Sequence, residues 1–322
     1  MVARPDESEP SAVLKPRQLR ALIWSIALAT LGYLGFSLWG GWQQVVQAAG
    51  RIGVTGLVFA LCLSLANYAL RFVRWQYYLA SLGHAIPWLD NLGIYVAGFA
   101  LTTTPGKMGE MLRSVFLVRY GVRYSKSIAA FFSERLSDLM AVMVLTLFGI
   151  ASYPPGRPVV FVLVASAVCV LLVLHRQTWL DRIKQFIDRR LRGRVADFAS
   201  GVVDVVLHSR QLYHWAPLAW GLVLGSVAWA AEAFAFHLMT QWLGLELVWP
   251  ITFFIYAFSM IIGAISFLPG GLGSAELTMV TLLMLNRVEA PEAVALTVMI
   301  RVTTLWFAVL LGIVALLRYR HQ

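Results

Sequence analysis

Two short stretches combine a proline, several glycines and a glutamate inside strongly apolar sequence. The first runs over residues 102–110 and the second over residues 267–276. Proline ends a helix, and glycine lets the backbone turn at little steric cost. Non-helical backbone at membrane depth persists only where protein or water satisfies its polar groups. Each stretch therefore predicts the tip of a re-entrant helical hairpin that lines a polar site. The predicted tip residues are Pro105, Gly106 and Gly109 in the first stretch, and Pro269, Gly270, Gly271 and Gly273 in the second.

Ionisable side chains lie within or near both stretches, although an ionisable group inside a bilayer costs about 2.5–3.5 kcal/mol on insertion scales. One interpretation pairs Glu110 with Arg135, beside Asp138, only to fix the first hairpin in place. Glu276 and Arg301 would fix the second hairpin in the same way. The alternative is that these groups line a substrate cavity, and two matching pairs beside glycine-rich breaks favour it.

Three further cations are candidate ligands for a phosphate group. Lys107 lies at the predicted first tip, where free backbone amides could also hold an anionic headgroup. Arg71 and Arg74 share one face of a predicted span, and either contact the headgroup region beside Trp75 or face the substrate. The predicted substrate-binding residues are Lys107, Glu110, Arg135, Asp138, Glu276, Arg301, Arg71 and Arg74.

The composition is that of an integral membrane protein. Hydrophobic residues make up 59% of the chain, against roughly 45–50% in soluble domains. The net charge of +10 is typical of basic loops that flank apolar spans and contact anionic lipid, so membrane lipids rather than nucleic acid are the expected partners. Cys62 and Cys169 both lie in apolar runs, which argues against a disulfide framework.

The apolar runs predict an all-α, polytopic fold with six full transmembrane helices and two re-entrant hairpins. The predicted spans cover residues 21–39, 53–70, 127–149, 159–174, 215–242 and 293–317. We expect residues 1–19 to form a disordered cytoplasmic tail and residues 20–322 to form a single transmembrane domain. Within that domain, residues 176–210 are expected to form a basic amphipathic segment on the cytoplasmic surface. Most of the 26 lysines and arginines fall in segments predicted as cytoplasmic, which places both termini in the cytoplasm.

The two halves of the chain carry matching residues in the same order. The first repeat, over about residues 53–152, contains in order Leu82-Gly83, Pro87, Tyr95, Pro105, Glu110 and Arg135. The second repeat, over about residues 215–317, contains the corresponding residues Leu243-Gly244, Pro250, Tyr256, Pro269, Glu276 and Arg301. The predicted spans that begin the two repeats cross the membrane in opposite directions. Inverted repeats with broken helices are a transporter architecture, in which the ligand binds where the repeats meet.

These motifs resemble the lysylphosphatidylglycerol synthase transmembrane region, also called the flippase-like integral membrane protein family. The resemblance covers about residues 21–317 and rests on Pro105-Gly-Lys-Met-Gly-Glu110, Glu134-Arg135 with Asp138, Pro269-Gly-Gly-Leu-Gly-Ser-Ala-Glu276, Arg301 and Arg71-Phe-Val-Arg-Trp75. It implies a bacterial inner-membrane protein that moves lipids or lipid-linked intermediates between leaflets. The two-part synthases of the family also carry a cytoplasmic aminoacyltransferase domain. Only five residues follow residue 317 here, so lysine transfer to lipid is not expected.

No catalytic or metal-binding motif stands out. The six histidines have no metal-ligand spacing, and the sequence lacks a P-loop and a nucleophile elbow, so we expect no enzymatic activity, cofactor or metal. Energy for transport would then come from ion coupling, with Glu110 or Glu276 as candidate proton carriers, or from downhill lipid movement.

The sequence favours a lipid translocase with a polar cavity between inverted repeats. An alternative is a non-catalytic membrane partner of an envelope-lipid or glycolipid enzyme, such as a glycosyltransferase. A homodimer is also left open, because Gly32, Gly35 and Gly40 would permit close contact at the first span.

Overall fold

A computed structural model of the chain describes residues 35, 41–104, 107–150, 157–158, 160–162, 164–166, 169 and 205–319. Those residues form helices and loops, with no strand among them. The predicted tail, the first span, most of the fourth span and nearly all of the basic amphipathic segment lie outside the described residues.

Nine α-helices have their bounds within the described residues. They are α1 (Trp42–Ser81), α2 (Trp88–Gly98), α3 (Leu112–Leu117), α4 (Tyr124–Gly149), α5 (Trp215–Trp242), α6 (Trp249–Ile265), α7 (Ser274–Leu285), α8 (Ala290–Arg301) and α9 (Phe307–Tyr319). Short 3₁₀ turns extend α2 (Phe99–Leu101) and flank α3 (Met108–Met111 and Val118–Tyr120). A π-helical turn, Val302–Trp306, joins α8 to α9.

Three helical stretches in the described part of the chain are long and apolar enough to cross a membrane. They are Trp42–Ser81, Trp215–Trp242 and Ala290–Arg318. Each contains or closely matches one of the predicted spans, so an all-helical integral membrane protein is confirmed. The helices α6 and α7 are also apolar but shorter. α4 has 26 residues, a length of about 39 Å, and carries Glu134, Arg135 and Asp138 near its middle.

One helix boundary agrees with the sequence-based expectation and another differs from it. The span predicted from residue 53 starts at a kink, because α1, which begins at Trp42, changes direction at Gly53, whose φ is 68°. A positive φ costs glycine little, so two helical pieces join there. α6 ends at Ile265, which places Pro269 inside the following loop rather than at the end of the helix.

The helices pack into one bundle with two apolar clusters. α1 packs along α5, α4 packs against α5 and α6, α8 packs against α1, and α9 packs against α2. One cluster is built mainly from α5, α6 and α8, and the other from the second half of α1 together with α2 and α3.

A close helix contact near the end of α4 provides a test of this packing. A methyl group on Gly149 would lie 2.2 Å from the carbonyl oxygen of Pro250 and 2.4 Å from Cβ of Phe254, and backbone cannot move aside cheaply. We expect Gly149→Ala to lower the free energy of unfolding by about 1–3 kcal/mol. Thermal unfolding in detergent measures this effect. Gly50→Ala on α1 is the matched control, because a Cβ there meets no atom within 4 Å; equal melting temperatures for the two variants would contradict the contact.

Candidate functional site

Seven charged side chains meet between α1, α4 and the segment that follows the first loop. They are Arg71, Arg74, Glu110, Arg113, Glu134, Arg135 and Asp138. Helical spacing explains their convergence, because Arg71 and Arg74 face α4 from one side while Glu134 and Asp138 lie one turn apart on α4.

Glu134 is fully buried at the centre of this charged cluster. Arg113 Nη1 donates to its Oε2 at 2.8 Å, and the hydroxyl of Tyr95 donates to its Oε1 at 2.8 Å. Arg135 Nη2 lies 3.1 Å from the same Oε1. Burial of a carboxylate is tolerated when charged and hydrogen-bonding groups surround it in this way.

Asp138 is the second centre of the cluster. Arg74 Nη2 donates to its Oδ1 at 2.5 Å, and the indole N–H of Trp229 donates to the same oxygen at 3.1 Å. Arg71 Nη2 and Arg135 Nη2 each lie 3.2 Å from Oδ2. Asp138 therefore connects α1, α4 and α5.

Glu110 has a different main partner from the one expected. Arg113 Nη2, one helical turn further on, donates to Glu110 Oε2 at 2.5 Å, whereas Arg135 Nη2 lies 3.6 Å away. Thr102 Oγ1 donates to the other carboxylate oxygen at 2.7 Å. The expected ion pair of Glu110 with Arg135 is present at 3.6 Å, and Arg113 joins it with a shorter contact that was not expected.

The cluster has more positive than negative charge. Four arginines face three carboxylates, a formal excess of one. Within the described residues, the Nη2 atoms of Arg71 and Arg135 are buried without an aligned hydrogen bond, although both lie near carboxylates. Buried charges need compensation, so an anion beside this excess positive charge would stabilise the site.

Glu276 and Arg301 form the contact that the sequence predicted in the second half. Arg301 Nε donates to Glu276 Oε1 at 2.6 Å, and Arg301 Nη2 donates to the carbonyl oxygen of Gly270 at 2.9 Å. The other oxygen of Glu276 accepts from the N–H of Gly273 at 2.7 Å. This pair therefore holds the loop before α7 against the end of α8.

The loops of the two halves touch each other. A Cβ on Gly270 would lie 3.4 Å from Cα of Thr103, so the second loop lies directly against the first. Each loop also makes a close contact within its own half. In the first half, Gly109 donates its N–H to Thr104 Oγ1 at 2.6 Å. In the second half, a Cβ on Gly271 would lie 3.0 Å from Cα of Gly263. Pro105 and Gly106 lie outside the described residues, and Pro269 lies in the second loop, where Gly270, Gly271 and Gly273 all have positive φ.

A cavity of about 430 Å³ lies between the two halves. Five of the predicted substrate-binding residues line it: Arg71, Lys107, Arg135, Asp138 and Arg301. Arg74, Glu110 and Glu276 do not line it and instead support residues that do. The cavity is therefore walled by side chains from both predicted repeats, and its wall carries four cations.

One edge of the cavity wall is apolar and exposed. Five apolar side chains line the cavity and are exposed at its edge: Met108, Phe132, Ile265, Phe267 and Leu268. Phe267 is 72% exposed and has a positive φ of 53°, a conformation uncommon outside glycine. We call these five residues the apolar mouth. Exposed apolar side chains at the edge of a charged cavity are suited to a ligand with both a polar and a hydrocarbon part.

Four residues of the site were absent from the predicted substrate-binding residues: Glu134, Glu232, Trp229 and Arg113. Glu232 lines the cavity from α5, is 5% exposed and accepts a hydrogen bond from the hydroxyl of Tyr256 at 2.5 Å. Arg71 Cζ and Lys107 Nζ lie 5.7 Å and 5.9 Å from the centre of the Trp229 ring. The sequence alone could have indicated Glu232 as a site residue, because it is an ionisable residue in the middle of an apolar span.

Comparison with known proteins identifies the family. The model of the family described as "Lysylphosphatidylglycerol synthase TM region" matches residues 22–312. The chain belongs to this family. The match covers both loops, the charged cluster and the pair of Glu276 with Arg301, so the site described above lies within the region that defines the lysylphosphatidylglycerol synthase transmembrane family.

Two archaeal relatives of this family align over most of the chain. A UPF0104 membrane protein of Methanothermobacter thermautotrophicus is 21% identical over 307 residues, which is 89% of this chain and 90% of the relative. A UPF0104 membrane protein of Pyrococcus horikoshii is 21% identical over 315 residues, 88% of this chain and 92% of the relative. Both are described as membrane proteins, in agreement with the apolar helices found here.

Proposed function

We propose that the protein is a lipid translocase that moves an anionic phospholipid or a phosphate-bearing lipid-linked intermediate between membrane leaflets. The observation that carries the proposal is the cavity itself. Arg71, Lys107, Arg135 and Arg301 converge on it, the adjoining charged cluster carries one excess positive charge, and an apolar mouth adjoins it.

Phosphate is the anion that fits these groups best. Guanidinium groups bind phosphate oxygens through several directed hydrogen bonds, and a lysine adds a compact charge. Among the described residues, Lys107 has no carboxylate within 4 Å, so its charge is available to a ligand. A headgroup would lie among the cations while its hydrocarbon chain extends through the apolar mouth into the bilayer.

The expected architecture accords with this role. We infer six full spans and two re-entrant hairpins arranged as inverted repeats, in a cytoplasmic inner membrane with both termini in the cytoplasm. Three features support the repeat: Gly83 and Gly244 end α1 and α5 with similar positive φ, Tyr95 and Tyr256 each donate to a buried glutamate, and the two loops touch. In such architectures the ligand binds at the interface of the repeats.

A reconstituted leaflet-exchange assay tests the proposal directly. Fluorescent phosphatidylglycerol or phosphatidylcholine is placed in proteoliposomes and in protein-free vesicles, and the accessible fraction is followed with a membrane-impermeant quencher. We expect faster exchange with protein, and faster exchange of phosphatidylglycerol than of phosphatidylcholine. No exchange with the purified chain, together with exchange after addition of a co-purifying lipid-modifying enzyme, would favour the partner role instead.

A comparison with inorganic phosphate distinguishes recognition of a lipid from recognition of soluble phosphate. Calorimetry compares its binding with that of a short-chain phosphatidylglycerol at one pH. Tighter binding of the lipid supports the translocase, because the apolar mouth then contributes to affinity. Equal affinity would show that only the phosphate is recognised and would contradict a lipid ligand.

Lys107→Gln should weaken lipid binding without loss of stability. The lysine is not paired with a described carboxylate, so its removal leaves no buried charge behind, while a cation near the ligand phosphate is lost. We expect phosphatidylglycerol exchange to fall by about tenfold, the effect of about 1.4 kcal/mol. Exchange kinetics and thermal unfolding measure both effects. Arg119→Gln, at an exposed cation outside the cavity, is the control; equal exchange by the two variants would contradict a role for Lys107.

A further inference from the structure

Glu232 differs from the other buried carboxylates of the site. Glu134 and Asp138 each contact several arginines, Glu110 contacts Arg113, and Glu276 contacts Arg301. Glu232 has no cation within 4 Å in the described part of the chain, and its hydrogen-bond partner is the hydroxyl of Tyr256. It is nevertheless 5% exposed and lines the cavity.

This difference changes which residue can carry a proton. Glu110 and Glu276 were the candidates from the sequence, but each already accepts a short hydrogen bond from an arginine, at 2.5 Å from Arg113 and 2.6 Å from Arg301. An isolated ionised carboxylate in a low-dielectric site is costly, and such a group is neutralised by a proton or paired with a counter-charge. Glu232 has the hydrogen bond of a buried acid without the paired cation, so it is the carboxylate best able to exchange a proton with the cavity.

The groups that face Glu232 come from every element around the cavity. Tyr68 and Arg71 lie on α1, Lys107 on the first loop, Asp138 on α4, Tyr256 on α6 and Arg301 on α8. Arginine and tyrosine ordinarily titrate above pH 9. On α5 itself, His237 lies five residues further on and contacts Thr252 Oγ1 at 3.1 Å. His237 therefore needs its own control in any experiment that varies pH.

We propose that Glu232 is a proton-binding site coupled to the anionic headgroup, so that one proton and one phosphate enter the cavity together. This inference rests on the proposed function. An ionised Glu232 would repel a phosphate that enters among the four cations of the cavity. Transfer of a solvent proton to Glu232 Oε1 removes that repulsion, while Oε2 keeps its bond to Tyr256. Release of the headgroup on the other side leaves Glu232 facing only the cavity cations, which favour its ionised form, so the proton leaves there and lipid movement is driven by the proton gradient.

The coupling is measured by the pH dependence of binding. The full chain is titrated calorimetrically with a short-chain phosphatidylglycerol, whose phosphodiester stays ionised, from mildly acidic to mildly alkaline pH. We expect wild-type affinity to fall as pH rises, by up to about tenfold per pH unit for one linked proton. Glu232→Gln keeps the shape and the acceptor for Tyr256 but cannot ionise. From acidic to neutral pH it should bind about as tightly as the wild type at acidic pH.

Two controls isolate the effect of Glu232. Glu292→Gln changes a carboxylate outside the cavity, which contacts Arg51 at 3.4 Å, and should keep the wild-type pH profile. His237→Gln should also keep it. A second measurement needs no variant: addition of the lipid to lightly buffered wild-type protein should deplete protons from solution, as reported by a pH dye.

The outcomes separate the two proposals. A flat wild-type profile, the same pH dependence in Glu232→Gln, or no proton uptake on binding would overturn the proton site and leave the translocase intact. No binding of phosphatidylglycerol by the wild type at any pH would overturn the proposed function, and the proton site with it.

Discussion

Arg135→Met is expected to leave the protein folded and to reduce phosphatidylglycerol exchange by about 10- to 150-fold. A hydrogen bond between charged groups contributes about 1.5–3 kcal/mol, and Arg135 is the arginine of α4 that lines the cavity. Its side chain is 18% exposed, and its Nη2 atom lacks an aligned acceptor in the described structure. The measurement is leaflet exchange in proteoliposomes that contain equal amounts of folded protein.

Charge balance explains why this substitution should not unfold the site. Without Arg135, the three remaining arginines of the cluster balance its three carboxylates. Glu134 keeps Arg113 and Tyr95, and Asp138 keeps Arg74. Arg135→Lys retains the charge and should show an intermediate rate. Wild-type exchange in a folded Arg135→Met variant would remove Arg135 from the binding site, whereas a collapsed fold would contradict the charge argument.

Removing one partner of the pair between Glu276 and Arg301 should have the largest effect on stability. We expect Glu276→Leu to lower the free energy of unfolding by about 3–5 kcal/mol, because Arg301 is then buried without its carboxylate. The N–H of Gly273 also loses its acceptor. Arg301→Leu should be destabilising for the reciprocal reason. Thermal or denaturant unfolding in detergent measures both losses.

The double variant separates stability from function. Glu276→Leu combined with Arg301→Leu removes both charges, so it should be more stable than either single variant, with strong non-additivity. Lipid exchange should stay low, because Arg301 lines the cavity and holds the carbonyl of Gly270. Strictly additive losses of stability would contradict a direct ion pair. Recovery of exchange with stability would assign Arg301 a structural role only.

Much of the helical architecture could be predicted from local sequence. The helix breaks before Glu110 and before Ser274 follow from proline and glycine chemistry, which acts over a few residues. The pair of Glu276 with Arg301 was readable because a buried charge needs a partner and few candidates existed in the same half. The helical piece of α1 before the kink at Gly53 was not predicted because Gln43 and Gln44 interrupt the apolar pattern there.

The remaining contacts depend on how distant segments pack. Arg113 displaced Arg135 as the main partner of Glu110 because a short 3₁₀ turn runs directly into α3, where helical periodicity extends over too few residues to be recognised. Glu232 meets Tyr256 only because α5 and α6 fold against each other. No spacing rule along the chain predicts which of several buried carboxylates lacks an arginine.

If the protein moves lipid as proposed, the contact between Thr103 and Gly270 has a consequence for the speed of transport. Because the loops touch, a headgroup that passes between them requires the loops to separate each time. The rate is then set by a protein motion on the microsecond-to-millisecond scale or slower, not by diffusion through an open path. The proposed translocase would then be a carrier with a fixed stoichiometry per cycle, and it would saturate with substrate as a channel of the same width would not.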